Sequence, residues 1–235
     1  MHKLLKAGIL IILLVLPASV FLFLKGFGKN HYFLRTYYPL VDSTSGEILV
    51  RKQMKFNREV EDTLFHQIPA FSLTDQNGKE ANASVTKNKI YIADFFFTRC
   101  TSICPKLSTE LSRVQDLFLN QPNVVLLSHT VDPENDSVEV IKAYAAEYGA
   151  VPGKWYFLTG DKKAIYQLAQ QGYKIPAVDL GPQTESPENM FIHSEKLILV
   201  DQDRHIRGYY DGTDPKEVDR LILETKILLR ETENE

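Results

Sequence analysis

The clearest pattern in the chain is a nearly unbroken apolar run, Ile90 to Phe97 (IYIADFFF). Its β-branched and aromatic residues are apolar at successive rather than alternate positions, which suits a central strand covered on both faces. Asp94 is the odd residue inside it. Downstream, Leu107, Leu111, Val114 and Phe118 recur at steps of four, three and four, one apolar face of a helix, with Pro105 in its first turn. Val124 to Ser128 reads as a second buried strand. Val138 to Tyr148 reads as a second helix, capped by Asp136 or Ser137. Trp155 to Leu158 and Lys162 to Gln170 repeat the pair, the helix opening behind Asp161. Lys196 to Val200 and Ile206 to Tyr210 then form a hairpin across Asp201 to His205, and Asp214-Pro215 opens a last helix.

Ahead of the first buried strand, Asn77-Gly78 sits between two short extended pieces and marks another hairpin. The order is hairpin, βα, βα, βα, ββ, α. That order predicts an α/β sheet with helices on both faces and an antiparallel edge. One connection stands out by length. Gln171 to Phe191 runs about twenty residues with three prolines, and loops that long inside a compact domain are commonly functional or mobile.

The N-terminus has a different pattern. Ala7 to Leu24 (AGILIILLVLPASVFLFL) carries no charge and reaches the roughly 18 residues of a membrane helix. A cleaved signal peptide is the competing reading, with Lys3 and Lys6 in front of it. The run continues through large residues, Val20 to Leu24, past any small-residue cleavage site, which favours an anchor. The organisation expected is a short tail over 1–6, an anchor over 7–24, a tether over 25–67 holding the strand-like EILVR, and a domain over 68–235. Lysines flank the run on both sides, so basic residues do not set its orientation.

Composition excludes some functions. The 235 residues are 44% hydrophobic and 24% charged, enough for one domain with a sizeable core and an appendage. The net charge is −3, and the first thirty residues carry four lysines and no acid, so the remainder is −3 − 4 = −7. An acidic body argues against nonspecific nucleic-acid binding.

Both cysteines lie in FFFTRCTSICPKLSTEL, at Cys100 and Cys104, between the buried strand and the helix. Two cysteines are too few for a disulfide framework, and their closeness points to one shared task. Read as i and i+4 on a helix they place both sulfurs on one face, able to close a disulfide or to ligate one metal. A helix N-terminus favours thiolate, and Arg99 stands beside it. Both chemistries begin with thiolate, so the motif alone leaves thiol–disulfide exchange, metal binding and a small structural disulfide open. A third ligand would suit copper, or zinc completed by water. His129 ends a strand and reads as a packed histidine; His2, His31, His66 and His205 read as solvent-exposed. His193 ends the long loop before a strand and can fold back over the first βα turn, although a surface histidine is equally ordinary there. Met190 reads as packing, and Asp132 as a turn residue before Pro133.

FFFTRCTSICP, HTVDPENDSVEVIKAYAAEYGA, WYFLTG and HSEKLILVDQDRHIRGYYDGTD, in that order and at those intervals, resemble the Sco/SenC family. Its members are membrane-tethered thioredoxin-like copper proteins associated with cytochrome c oxidase assembly. The resemblance covers about Ile68 to Arg230. It implies a thioredoxin-like fold of the peroxiredoxin-like variety and copper held by Cys100, Cys104 and His193, with Asp132 at an acidic position near the metal. It further implies delivery of copper to the dicopper A site of oxidase subunit II, or reduction of that site's cysteines by Cys100 and Cys104. Another copper chaperone or a thiol reductant would be a further partner. The domain would lie on the periplasmic or an equivalent extracytoplasmic face. A peroxidase is the third reading and has least in the sequence to support it.

Overall fold

The computed structural model describes residues 2–27, 33–55, 58–175 and 195–233, and they fall into two units, Met1–Phe33 and Leu34–Glu235. In the first, the apolar run forms helix α1, His2–Phe27, with Pro17 inside. Leu13, Leu14, Leu16, Phe21 and Leu22 on it are exposed. Among the described residues no helix is long and apolar enough to cross a membrane.

The second unit is built on a seven-stranded mixed sheet. Its strands are β3 (Ser72–Asp75), β4 (Glu80–Asn82), β5 (Ile90–Phe96), β6 (Val124–Thr130), β7 (Trp155–Thr159), β8 (Lys196–Val200) and β9 (Ile206–Asp211), in the order β4-β3-β7-β6-β5-β8-β9. β5, β6 and β7 are parallel, and the remaining pairs are antiparallel. Every residue of β5 and β6 is buried, as their unbroken apolar runs require, while β9 alternates buried and half-buried positions as an edge does. The Asn77-Gly78 hairpin forms as expected. The Asp75 carboxylate accepts from the Asn77 and Lys79 amides, and Gly78 takes φ +72°, where a side chain would be strained.

Helix α3 (Ile103–Leu117) joins β5 to β6, and α4 (Val138–Glu147) joins β6 to β7. Both crossovers move the same way along the sheet, so the right-handed rule puts both helices on one face. There Tyr144 of α4 stacks on Phe96 and its hydroxyl meets Ser108 of α3 at 3.0 Å. Leu107, Leu111 and Val114 of α3 are fully buried, each contributing about 1.5–3 kcal/mol. The C-terminal helix α6 (Pro215–Glu233) joins α3 through the Arg113–Asp219 ion pair at 2.8 Å. Helix α5 (Lys162–Gln167) runs into a π-helical turn, Leu168–Gly172, which delivers Tyr173 to the opposite face beside Phe95 and His129. A mixed sheet with helices on both faces and a C-terminal ββα is the thioredoxin-like arrangement.

Residues 34–67 lie partly on this domain. Arg207 donates to the Leu34 carbonyl and Glu231 accepts from the Leu34 amide, at 2.7 and 2.8 Å. The Tyr37 amide bonds Ile206. The strand-like EILVR overlaps β1 (Val50–Lys55), which pairs with β2 (Arg58–Thr63) as a separate hairpin. A short helix α2 (Ala83–Thr86) precedes β5.

Candidate functional site

The cysteines stand at the carboxyl end of β5, but they are not on one helix face. α3 begins at Ile103, so Cys104 is in its first turn and Cys100 lies ahead of it, in a turn closed by the Cys100 amide on the Phe97 carbonyl at 3.2 Å. Cys100 nevertheless caps the helix. The Cys104 amide points at its sulfur at 3.4 Å, whereas the side chain of Ser102, the N-cap residue, makes no capping bond. The Ser102 hydroxyl lies 3.8 Å from the same sulfur.

Both thiols are free and buried. A hydrogen bond from the Cys104 thiol, with the Cys104 and Ser102 amides, pulls Cys100 down to about 5 against the cost of burial. Cys104 moves the other way, well above an ordinary thiol, because its proton is held on Cys100 and because it is buried. The pair thus presents one thiolate and one thiol. That is a nucleophile with a resolving partner, or two soft sulfur donors for a metal.

Arg99 is paired with an acid. Its guanidinium grips Asp132 through Nη2 at 2.5 Å and Nε at 3.1 Å, and Asn135 donates to the other Asp132 oxygen at 2.8 Å. Asp132 therefore touches the cysteine turn through Arg99. Four residues on, Asp136 is fully buried. It accepts from the Thr98 hydroxyl at 2.5 Å, the Thr98 amide at 3.3 Å and the Thr130 hydroxyl. Ser137, not Asp136, caps α4.

Asp94 lies on the α3 face of β5, 1% exposed. Ser128 donates to it at 2.5 Å and in turn accepts from the Trp155 indole at 2.9 Å. Burial pushes its carboxyl up to about 7, and its charge adds to the upward push on Cys104. On the other face His129 stacks on Phe95 and meets the Tyr173 hydroxyl at 3.3 Å. Its Nδ1 has no partner, and burial lowers it to about 3. It is packed, as its strand-end position predicts. His66 differs from expectation: it is half-buried, and its ring meets the Gly172 carbonyl, at the end of the π-helical turn, at 2.8 Å. His205 is also half-buried, against Phe65.

His193 and Met190 lie outside the described residues. Among the described residues no group of three His, Cys, Asp or Glu side chains could hold a metal. The sequence shows Asp136 only as a candidate cap and gives no sign of its pairing with Thr98, which spans 38 positions and leaves no local signal. It noted Asp94 as anomalous without giving it a task.

A model of the SCO1/SenC family matches residues 59–227. The SCO1 protein homolog of Bacillus subtilis is 30% identical over 171 residues, covering 72% of this chain and 86% of that one. The crystal structure of a SCO1/SenC family lipoprotein from Bacillus anthracis superposes with a TM-score of 0.62 at 26% identity, over 70% of this chain and 95% of that one. Copper-bound ScoI of Arabidopsis thaliana does so with a TM-score of 0.55 at 25% identity, over 67% and 97%. With the family match spanning most of the mixed-sheet domain and its cysteine turn, the chain belongs to the SCO1/SenC family.

Proposed function

We propose that this protein is a copper metallochaperone that holds the ion between Cys100, Cys104 and His193 and passes it to the dicopper A site of cytochrome c oxidase subunit II. The observation that carries this reading is the sulfur pair at the start of α3, one sulfur stabilised as thiolate by the Cys104 thiol and two backbone amides. Two thiolates and an imidazole suit Cu(I) and also accept Cu(II). Copper is cargo here and leaves by exchange of ligands with the recipient. The copper-bound relative supports the choice of metal. The uncharged run Ala7 to Leu24 would tether the domain to the periplasmic or an equivalent extracytoplasmic face of a membrane; a reporter fused after Glu235 that works only in the cytoplasm would overturn that placement.

The test is Cu(II) binding by residues 33–235 and by the His193→Ala variant. We expect the variant to lose affinity and the sulfur-to-copper charge-transfer absorption while the thiols still oxidise reversibly. An unchanged spectrum removes His193 from the site. Copper displaces zinc from such a site on affinity order alone, so availability sets which metal is carried in the cell; metal analysis of protein purified without added metal tests for zinc, and zinc as its sole metal would favour the zinc reading.

The thiolate–thiol asymmetry favours a second reading, a thiol–disulfide oxidoreductase. The Cys100 thiolate attacks a disulfide in the oxidase copper site and expels one partner thiolate. Cys104, losing its proton, attacks the Cys100 sulfur and releases the second. Two electrons pass to the partner, and Cys100–Cys104 is left as a disulfide for an outside thiol to reduce. Deleting the gene and rescuing with Cys100→Ser or His193→Ala separates the readings, since rescue by the histidine variant alone favours the reductase.

A further inference from the structure

We infer that Asp136 is a positioning residue that sets where the Cys100 sulfur stands relative to Cys104, acting through Thr98. The inference rests on the reading that the two sulfurs work as a pair, and it begins from the start of α3. With Cys100 ahead of Ile103, the helical repeat does not fix the distance between the sulfurs. The Phe97–Cys100 turn fixes it instead, and that turn is held from across the sheet.

Thr98, inside the turn, gives both its amide and its hydroxyl hydrogen to the Asp136 carboxylate. Asp136 is itself immobilised. It is fully buried, its amide donates to the Asp132 carbonyl at 2.9 Å, and its carbonyl accepts from the Thr159 hydroxyl at 2.9 Å. Its carboxylate also takes the Thr130 hydroxyl. The side chain thereby ties the cysteine turn to the carboxyl end of β6, while the backbone of the same residue is held by the end of β7. The neighbouring Arg99–Asp132 contact holds the same turn from a side chain 43% exposed, so it is the more yielding of the two.

If the turn slackens, the Cys100 sulfur moves away from the Cys104 amide, and the reduced state loses a contact that the disulfide does not need. Loosening the turn should therefore make the pair easier to oxidise.

The test uses the full chain with Asp136→Asn, Thr98→Val, the double variant and, as a control, Thr159→Val. The control removes a bond to the Asp136 backbone without touching the cysteine turn. The dithiol–disulfide equilibrium is read in glutathione buffers, Cys104 amide hydrogen exchange by NMR, and stability by urea. Asp136→Asn and Thr98→Val should each favour the disulfide about tenfold, roughly 30 mV for a two-electron couple, and speed Cys104 exchange at least tenfold. The double variant should do no more than either single one, since the two residues share one interaction. Thr159→Val should leave both readouts within twofold even where it lowers the urea midpoint. Additive effects, or shifts that follow the urea midpoint through Thr159→Val, overturn the inference. If the unaltered pair does not cycle in glutathione, the thiol-exchange reading fails; the Cys104 exchange rate still decides the positioning role, and an unchanged rate in Asp136→Asn and Thr98→Val sinks it.

Discussion

Replacing Asp94 by Asn changes one atom in the middle of the sheet and should change how stability depends on pH. Asp94 is fully buried, it accepts a hydrogen bond from Ser128, and burial raises it to about 7. In the unfolded chain an aspartate titrates near 3.9. A carboxyl whose folded value is raised favours folding while both states are protonated. That contribution is complete below about 3.9 and is lost as pH climbs through about 7, since the unfolded chain ionises first. Each pH unit inside the window is worth about 1.36 kcal/mol, so the two units from pH 5 to 7 remove about 2.7 kcal/mol. Asn cannot ionise, and its Oδ1 still accepts the Ser128 hydrogen. Urea unfolding of both proteins at pH 5, 6, 7 and 8 isolates the effect, because other groups cancel in the difference. The gap between variant and parent should move in favour of Asn by about 2–3 kcal/mol across the series. A gap that stays level within about 0.5 kcal/mol would mean that Asp94 ionises at ordinary values, and the burial argument would be wrong.

The thiols should differ in alkylation by iodoacetamide: Cys100 should react with an inflection near pH 5 and Cys104 stay unmodified through pH 8, whereas an inflection near 8.5 for Cys100 would refute the thiolate assignment. Gly212→Ala should cost about 1–3 kcal/mol in urea, because a Cβ there would run into Leu107 Cδ2 and come within 2.8 Å of Leu197 Cγ; a loss under about 0.5 kcal/mol would show that α3 can shift freely. Arg207→Ala should cost about 3–5 kcal/mol, since the guanidinium bridges Asp201 and Glu231 in a largely buried network, and a cost below about 1 kcal/mol would place that network in solvent.

The strands and helices of the domain were legible because their patterns are local. IYIADFFF could only be a doubly covered strand, and Asn77-Gly78 could hardly be anything but a hairpin turn. The cysteine geometry was legible in its chemistry and not in its shape. CxxxC read as a helical i, i+4 pair, yet the chain turns at Phe97–Cys100 and starts its helix at Ile103, with Pro105 at the third position where its missing N–H costs nothing. Asp136 and Ser137 were both legible as caps of α4. Ser137 does that work, and the donors that turn Asp136 inward are Thr98 in the cysteine turn and Thr130 at the end of β6. Arg99 looked like a charge for the thiolate until Asp132, 33 positions away, was found to hold it. Long-range pairing of polar side chains has no period, so no reading of spacing could supply it.

Helix α3 takes its N-terminal cap from the most reactive atom in the protein. An ordinary cap is worth about 1 kcal/mol of helix stability. Whatever claims the Cys100 lone pairs, whether a proton, a second sulfur or a metal ion, competes with the first turn of α3 for them. Linkage makes the competition mutual. A ligand that takes the sulfur loosens the start of α3, and a recipient protein that grips and orders that first turn weakens the hold on the ligand. Docking against the exposed face of Thr101 and Ser102 would then be a signal to let go, written in the same hydrogen bond that keeps the sulfur ready.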